Sequence, residues 1–208
     1  MASDSERIEA IHSFWFGGLT DDKTLDMGSI EVRRWFGENE EIDREVRRRF
    51  ESDHERAVRG EFAGWATSAR GALCLAILLD QFPRNMFRGT PKAFDTDPLA
   101  QDVSLKAIDA GLDEQLSLIE RMFLYMPLMH SETLPLQKKA LRLYERLVTL
   151  AKEHSPANTD FFVFAYGFER KHYVIVERFG RYPHRNAILG RQSTQAEIDF
   201  MTQPGSSF

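Results

Sequence analysis

Two segments whose prolines lie one hundred residues apart share an unusual combination of aromatic, proline, arginine and asparagine residues. Residues 79–89 read LDQFPRNMFRG, and residues 178–191 read RFGRYPHRNAILGR. In both, the proline follows an apolar helical run, which predicts that a helix stops there and the chain turns. We refer to the proline-containing turns in 79–89 and 178–191 as the two corners. Guanidinium groups bind carboxylates and phosphates through paired hydrogen bonds, so the two corners indicate where a small anion could bind.

Titratable side chains also fall on the buried faces of three predicted helices. His172 lies on the apolar stripe of residues 158–179, His130 at the buried end of the stripe that starts at 113, and Asp80 at the tail of 63–82. A carboxylate or imidazole placed in this way can act as a general acid or base. The candidate acid–base residues are Asp80, His130, Glu132 and His172, and the candidate ligand-binding residues are Arg84, Asn85, Arg88, Arg178, Arg181, His184, Arg185 and Asn186.

The same residues also have structural explanations. A single histidine on an apolar face is usually a hydrogen-bonded core residue, and Asp80 can pair with Arg84 one helical turn later. The arginines of the two corners can neutralise the unpaired carbonyls of a helix C-terminus. Since each polar group is costly to bury alone, their coincidence favours either one shared pocket or one internal ion-pair network.

The sequence predicts neither a metal nor a cofactor. His130, Glu132, His172 and His184 do not have the spacing of a known ligand motif, and the neighbouring arginines would repel a cation. No glycine-rich phosphate loop and no GxSxG nucleophile motif occur in the chain.

The charge distribution restricts the class of partner. The 208 residues carry a net charge of −5, which argues against nucleic acid because such binders usually have a basic surplus. Residues 170–191 nevertheless contain six Lys or Arg and one acid, so their local charge is +5 and the rest of the chain sums to −10. A basic patch on an acidic body favours a small anionic molecule or an acidic peptide.

The chain has no sign of export or of a membrane span. Cys74 is the only cysteine, so no disulfide forms within the chain, which fits a reducing compartment. The N-terminus lacks the basic and apolar regions of a signal peptide, and the longest apolar run has eight residues, 72–79. We therefore expect a cytoplasmic protein without a membrane partner.

Helical periodicity extends along nearly the whole chain, and no strand is predicted. Residues 1–208 are expected to form one all-α domain, in which three helical hairpins about forty residues apart stack as a short, tetratricopeptide-like solenoid. The predicted hairpins pair 39–59 with 63–82, 97–110 with 113–127, and 135–154 with 158–179. Shorter helices are predicted over 5–16 and 30–36 and after the capping box at 194–197.

Three pieces of the chain resemble a known bacterial family. They are LLDQFPRN at 78–85, YMPLMHSE at 125–132 and FGRYPHRN at 179–186. The family is catalogued as a domain of unknown function, and its structural relatives form a tetratricopeptide-like superhelix. The resemblance implies an all-helical fold and a soluble bacterial protein, and it implies no activity.

Two hypotheses for the function follow. In the first, an Arg/His/Asp-lined cleft binds a small anionic ligand, and Asp80, His130 or His172 provides acid–base chemistry. In the second, the polar network is structural and a tetratricopeptide-like module binds other proteins on its concave surface. Buried polar residues favour the first, whereas the fold resemblance and the missing catalytic motif favour the second. The sequence leaves the oligomeric state, the ligand and any catalysis open.

Two geometric expectations accompany the first hypothesis. The corners that contain Arg84 and Arg185 should lie at one end of the molecule and face one cleft. His172 should pair with the carboxylate of Asp80 or Glu132, which would raise the pKa of the imidazole.

Overall fold

The computed structural model describes residues 3–37 and 39–206, which form helices, turns and loops and contain no β-strand. The all-helical prediction is therefore confirmed for this part of the chain. Its α-helices are α1 Asp4–Phe16, α2 Ile30–Phe36, α3 Glu40–Val58, α4 Ala69–Met86, α5 Asp97–Asp109, α6 Leu118–Met129, α7 Leu134–His154, α8 Thr159–Phe179 and α9 Gln195–Met201.

Several helix ends follow capping signals that are legible in the sequence. The helices α1 and α9 begin with capping boxes, Ser3 with Glu6 and Thr194 with Glu197. The helix α8 ends at Gly180, whose φ of 68° lies in the left-handed region where glycine has no steric penalty.

The prediction of one helix over residues 63–82 is wrong at both ends. Residues Ala63–Thr67 form a 3₁₀ turn, and Ser68 then caps α4, which continues through Pro83 to Met86. Proline cannot donate a hydrogen bond to the carbonyl four residues earlier, that of Leu79. The hydroxyl of Thr96 donates to this carbonyl at 2.6 Å, so a tertiary contact compensates for the lost bond.

The helix predicted to open at Asp113 is also wrong at its start. Residues Leu112–Gln115 form a 3₁₀ turn, and α6 begins at Leu118 behind a capping box of Ser117 and Glu120. The helix then runs past Pro127 to Met129. Pro83 of the first corner therefore lies inside α4, and His130 directly follows the end of α6. Pro183 of the second corner, in contrast, begins a 3₁₀ turn, Pro183–Arg185.

The helix α4, most of whose residues are buried, lies at the centre of the packing. It contacts α1, α3, α5 and α6, and the predicted pairs α3 with α4, α5 with α6 and α7 with α8 are each in contact. Aromatic rings fill the space beside it, with Phe82 packed edge-on against Trp15 and stacked on Phe50. Among the described residues, no helix is both long enough and apolar enough to cross a membrane.

Gly71 in the first turn of α4 supports a prediction about stability. A Cβ at this position would lie 2.3 Å from the carbonyl oxygen of Trp65 and 2.7 Å from Oγ of Ser68. Gly71→Ala should therefore lower the free energy of unfolding by about 1–3 kcal/mol, although alanine is the better helix former. Chemical denaturation measures the change. Gly64→Ala is the control, because its Cβ would meet nothing within 4 Å. Equal denaturation midpoints for the two variants would contradict the prediction.

Candidate functional site

The carboxylate of Asp80, near the C-terminal end of α4, is almost fully buried, with 1% of the residue exposed. It lies 2.8 and 3.0 Å from Nδ1 of His130, accepts a hydrogen bond from Gln81 at 2.5 Å and faces Nη1 of Arg84 at 3.1 Å. Burial by itself raises the pKa of Asp80, but the opposite effects of Arg84 and His130 are together larger. The net pKa is therefore below the ordinary value of an aspartate. Asp80 is therefore an ionised carboxylate in the interior.

Asp97, at the start of α5, brings the two cationic corners together. Arg84 donates two hydrogen bonds to its carboxylate, at 2.9 and 3.0 Å, and Nη1 of Arg185 lies 3.3 Å from the same group. The corners therefore meet at one carboxylate. We refer to Asp80, Arg84, Asp97, His130 and Arg185 as the Asp80 cluster.

Arg185 is held between two aromatic rings. Its guanidinium carbon lies 4.7 Å from the ring centre of Phe94 and 4.5 Å from that of Tyr182. Burial lowers the pKa of Arg185, and the neighbouring Arg84 lowers it further. The Nε of Arg185 is buried and has no hydrogen-bond partner among the described residues.

His130, which follows the last residue of α6, has the geometry of an oriented base. Its Nδ1 faces Asp80, its side chain is 15% exposed, and no described residue forms a hydrogen bond with its Nε2. Burial and the Arg84 cation lower the pKa of His130, which outweighs the opposite effect of Asp80. The imidazole is then neutral near pH 7, with its proton on Nδ1 and a lone pair on Nε2, as a general base requires.

The expected pairing of His172 with a carboxylate is wrong. Its Nδ1 lies 2.9 Å from the carbonyl oxygen of Phe168, one turn earlier in α8. Burial lowers its pKa to about 3, the opposite of the expected direction. Both candidate partners are occupied, since Asp80 binds His130 and Glu132 binds Arg191 at 2.5 and 2.8 Å. His172 remains beside the cluster, with its ring 6.2 Å from that of His130.

Glu132 holds the second corner onto the end of α6. Besides Arg191, it accepts a hydrogen bond from the backbone N–H of Tyr182 at 2.8 Å. Burial raises the pKa of Glu132, but the hydrogen bonds from Arg191 and Tyr182 lower it more. Through these contacts, Glu132 fixes the segment that contains Arg185.

The remaining candidate residues divide among other contacts. Asn85 and Arg88 both donate to Asp43 on α3, at 2.8 Å each for the closest pairs, and Arg181 donates to Glu197 on α9 at 2.6 Å. Each of these bonds joins two elements of the fold. The structure therefore does not bring Asn85, Arg88 and Arg181 to the Asp80 cluster.

Three residues of the second corner remain to be placed. Asn186 donates to Ser193 at 3.0 Å, and Arg178 lies over the rings of Phe179 and Phe200 on the outer side of α8. His184 packs on Tyr182, with ring centres 5.5 Å apart, and burial lowers its pKa to about 4. The Arg185 cation lowers the pKa of His184 further.

Two acidic residues of the interior were not among the sequence candidates. Asp97 precedes Pro98, and this pair by itself signals only the start of the predicted helix 97–110. Glu169 lies one turn before His172 in α8 and is 0% exposed, and neither of its carboxyl oxygens has a hydrogen-bond partner among the described residues. Burial raises its pKa to about 9, so it is a neutral acid at pH 7. Its position in line with Ala165, His172 and Val176 was the available signal.

Comparison with known proteins shows the family of the chain. Residues 11–205 match DUF924, a bacterial protein family of unknown function. The chain belongs to this family. A solved structure of a protein of unknown function from Agrobacterium tumefaciens is 34% identical, with a TM-score of 0.77 over 96% of this chain and 98% of the other. No curated protein matches the chain.

The resemblance seen in the sequence is thereby confirmed, and this DUF924 member shares its all-helical fold with the Agrobacterium protein. Neither the family description nor that structure states an activity. Any function must therefore be inferred from the geometry of the side chains.

The depressed pKa of His172 predicts a specific dependence of stability on pH. The folded value of about 3 lies below the unfolded value of about 6.5, so only the unfolded chain binds this proton between them. This contribution to stability is complete above pH 6.5 and is lost on acidification, by at most about 1.4 kcal/mol per pH unit. His172→Leu should therefore gain stability relative to the parent as the pH falls from 7 to 4.5.

Urea denaturation across this range measures the difference. His154→Leu is the control, since that imidazole at the end of α7 is exposed. A gap between His172→Leu and the parent that stays constant with pH would contradict the assignment.

Glu169 predicts the opposite pH window. Its folded pKa of about 9 exceeds the unfolded value of about 4.3, so its contribution is complete below pH 4.3 and is lost as the pH rises towards 9. Glu169→Gln should become more stable than the parent as the pH increases from 5 to 8, by at most about 1.4 kcal/mol per unit. Thermal unfolding at matched ionic strength is the measurement. The exposed Glu177→Gln on the same helix should show no such trend.

Proposed function

We propose that the Asp80 cluster binds a small carboxylate- or phosphate-bearing molecule and that His130 acts as a general base beside it. The observation that carries the proposal is the pairing of a buried, ionised Asp80 with Nδ1 of His130, while Nε2 of a partly exposed ring has no described partner. A base whose tautomer and orientation are fixed by a carboxylate is a recurring arrangement in enzymes.

Arg185 supplies the anion-binding part of the proposal. It makes one hydrogen bond in the cluster, at 3.3 Å to Asp97, and its Nε is buried without an acceptor. A buried donor without a partner costs free energy, and an anionic ligand would supply the missing acceptor. The rings of Phe94 and Tyr182 hold the guanidinium in place, which reduces the entropy lost on binding.

The charge of the cluster favours a ligand with few negative charges. Two arginines face two aspartates, and His130 is neutral, so the cluster has no net charge before a ligand binds. A monoanion or dianion would share Arg185 with Asp97. A proton taken from the ligand, or from a water molecule that attacks it, would move to Nε2 of His130, and Asp80 would stabilise the resulting imidazolium.

The second candidate function is a tetratricopeptide-like interaction module, in which the three helix pairs stack as a short superhelix. The observation that favours it is that three arginines of the two corners already have carboxylate partners within the chain, as expected of a structural network. The pairs are Arg84 with Asp97, Arg88 with Asp43, and Arg181 with Glu197. In this case the Asp80 cluster would contribute to the uniqueness of the fold and would bind nothing.

An NMR titration distinguishes the two. We expect the imidazole resonances of His130 to shift saturably on addition of inorganic phosphate, succinate or citrate, and His130→Gln identifies them by their disappearance. Arg185→Lys should weaken binding at least tenfold, or about 1.4 kcal/mol, because lysine cannot reproduce the planar, stacked guanidinium.

Arg146→Lys is the matched control, since Arg146 on α7 forms an exposed ion pair with Glu114 of the 3₁₀ turn Leu112–Gln115 and is not part of the Asp80 cluster. It should leave the affinity unchanged. Equal losses in both variants, or shifts that follow ionic strength alone, would favour the interaction module.

A further inference from the structure

The outer face of α8, opposite the side that carries Glu169 and His172, is exposed and partly apolar. Phe164, Gly167, Lys171, Val174 and Arg178 recur on it at steps of three and four, the spacing of one helical face. Phe164 and Val174 are each 55% exposed. The helix packs mainly on α7. Its outer face therefore exposes two large apolar side chains beside the cations Lys171 and Arg178.

A groove of about 390 Å³ lies along this face, between α8 and the C-terminal segment. Val174, Ile175 and Phe200 provide its apolar lining, and Gly167 and Gly205 contribute backbone. A Cβ at Gly167 would meet nothing within 4 Å, so no contact among the described residues requires a glycine there. Because glycine inside a helix costs about 1 kcal/mol relative to alanine, its presence fits a surface that another backbone approaches closely.

The groove is bordered by cations. Arg170 and Lys171 line it, and Arg178 follows two turns after Arg170. None of the three has a carboxylate within 4.0 Å among the described residues, whereas most arginines elsewhere in the described chain are in ion pairs. Glu177, which precedes Arg178, accepts a hydrogen bond from Tyr173 at 2.5 Å. The surface thus combines an apolar groove with cations for which residues 3–37 and 39–206 provide no anionic partner.

We propose that this groove binds an acidic, amphipathic segment of a protein partner. One or two apolar side chains of the segment fill the space over Val174 and Phe200, and its carboxylates pair with Arg170 and Lys171. This site is separate from the Asp80 cluster, which lies on the inner side of α8. It also differs from a peptide site on the concave surface of a solenoid, because it lies on one helix and the C-terminal segment that follows.

The observations favour this occupant over a membrane and over a second copy of the chain. The surface is a concave groove, whereas a membrane presents a broad surface. The net charge of −10 outside residues 170–191 would also be repelled by anionic lipid. The most highly charged helix, α3, pairs Glu40, Glu45 and Glu51 with its own arginines. These three acidic side chains are therefore less available to a second copy.

Fluorescence anisotropy tests the proposal with a labelled synthetic helix of Leu and Glu, in which the leucines repeat at steps of three and four. A scrambled peptide of the same composition is the control probe. We expect the ordered probe to bind the parent, and Arg170→Glu/Lys171→Glu to weaken binding more than tenfold. Lys138→Glu/Arg142→Glu, exposed on α7 and one turn apart, makes the same change in total charge and should weaken binding less than threefold.

A second variant tests the apolar groove independently of charge. Val174→Ser should weaken binding of the ordered probe at least threefold without changing the melting temperature, since the side chain is exposed. Equal losses in both charge-reversed variants, or equal binding of the scrambled probe, would overturn the proposal. So would sedimentation of the parent with phosphatidylserine vesicles, or a dimer that Val174→Ser dissociates, because each identifies a different occupant.

Discussion

The buried carboxylate of Asp80 imposes the main constraint on this fold. An ionised group with 1% exposure must be paired, and the pairing comes from Arg84 on the same helix and His130 at the end of α6. Arg84 in turn binds Asp97 on α5, and Asp97 binds Arg185 of the second corner. This chain of charged contacts links α4, α5, α6 and the 3₁₀ turn after α8, so displacement of any one element leaves a buried charge without its partner.

Such a network is an expensive way to stabilise a protein. Replacement of a buried ion pair by well-packed apolar residues is often neutral or stabilising, whereas removal of one partner is strongly destabilising. The apolar packing around α4, with Phe82 between Trp15 and Phe50, already provides a continuous core. The polar residues are therefore better explained by what they bind or by the single arrangement that they specify.

The helix α8 separates two chemically different surfaces. Its inner side places the neutral acid Glu169 one turn before the neutral imidazole of His172, whose ring lies 6.2 Å from that of His130. Burial is the largest cause of both pKa shifts. Its outer side presents Phe164, Val174 and the cations Arg170 and Lys171, which have no carboxylate within 4.0 Å in the described part of the chain. One side of this 21-residue helix thus packs apolar and polar side chains in the interior, and the other side exposes apolar and basic side chains. This division follows from the helical period, since residues three and four apart share a face.

The sequence by itself determined the features that depend on local chemistry. It predicted the all-helical class, most helix positions and the capping box that begins at Thr194, because hydrophobic period and capping act over a few residues. It also selected Asp80, Arg84, His130 and Arg185, whose types and positions were unusual for a core.

Only the tertiary structure decided how those groups pair. The hydroxyl of Thr96 allows α4 to pass through Pro83, and Asp97 joins two corners that are far apart in sequence. His172 does not bind either of its expected carboxylates, because Glu132 binds Arg191 and Asp80 binds His130. A residue type shows what a side chain can bond, but its partner and its pKa depend on which distant groups the packing brings near and how much water it excludes.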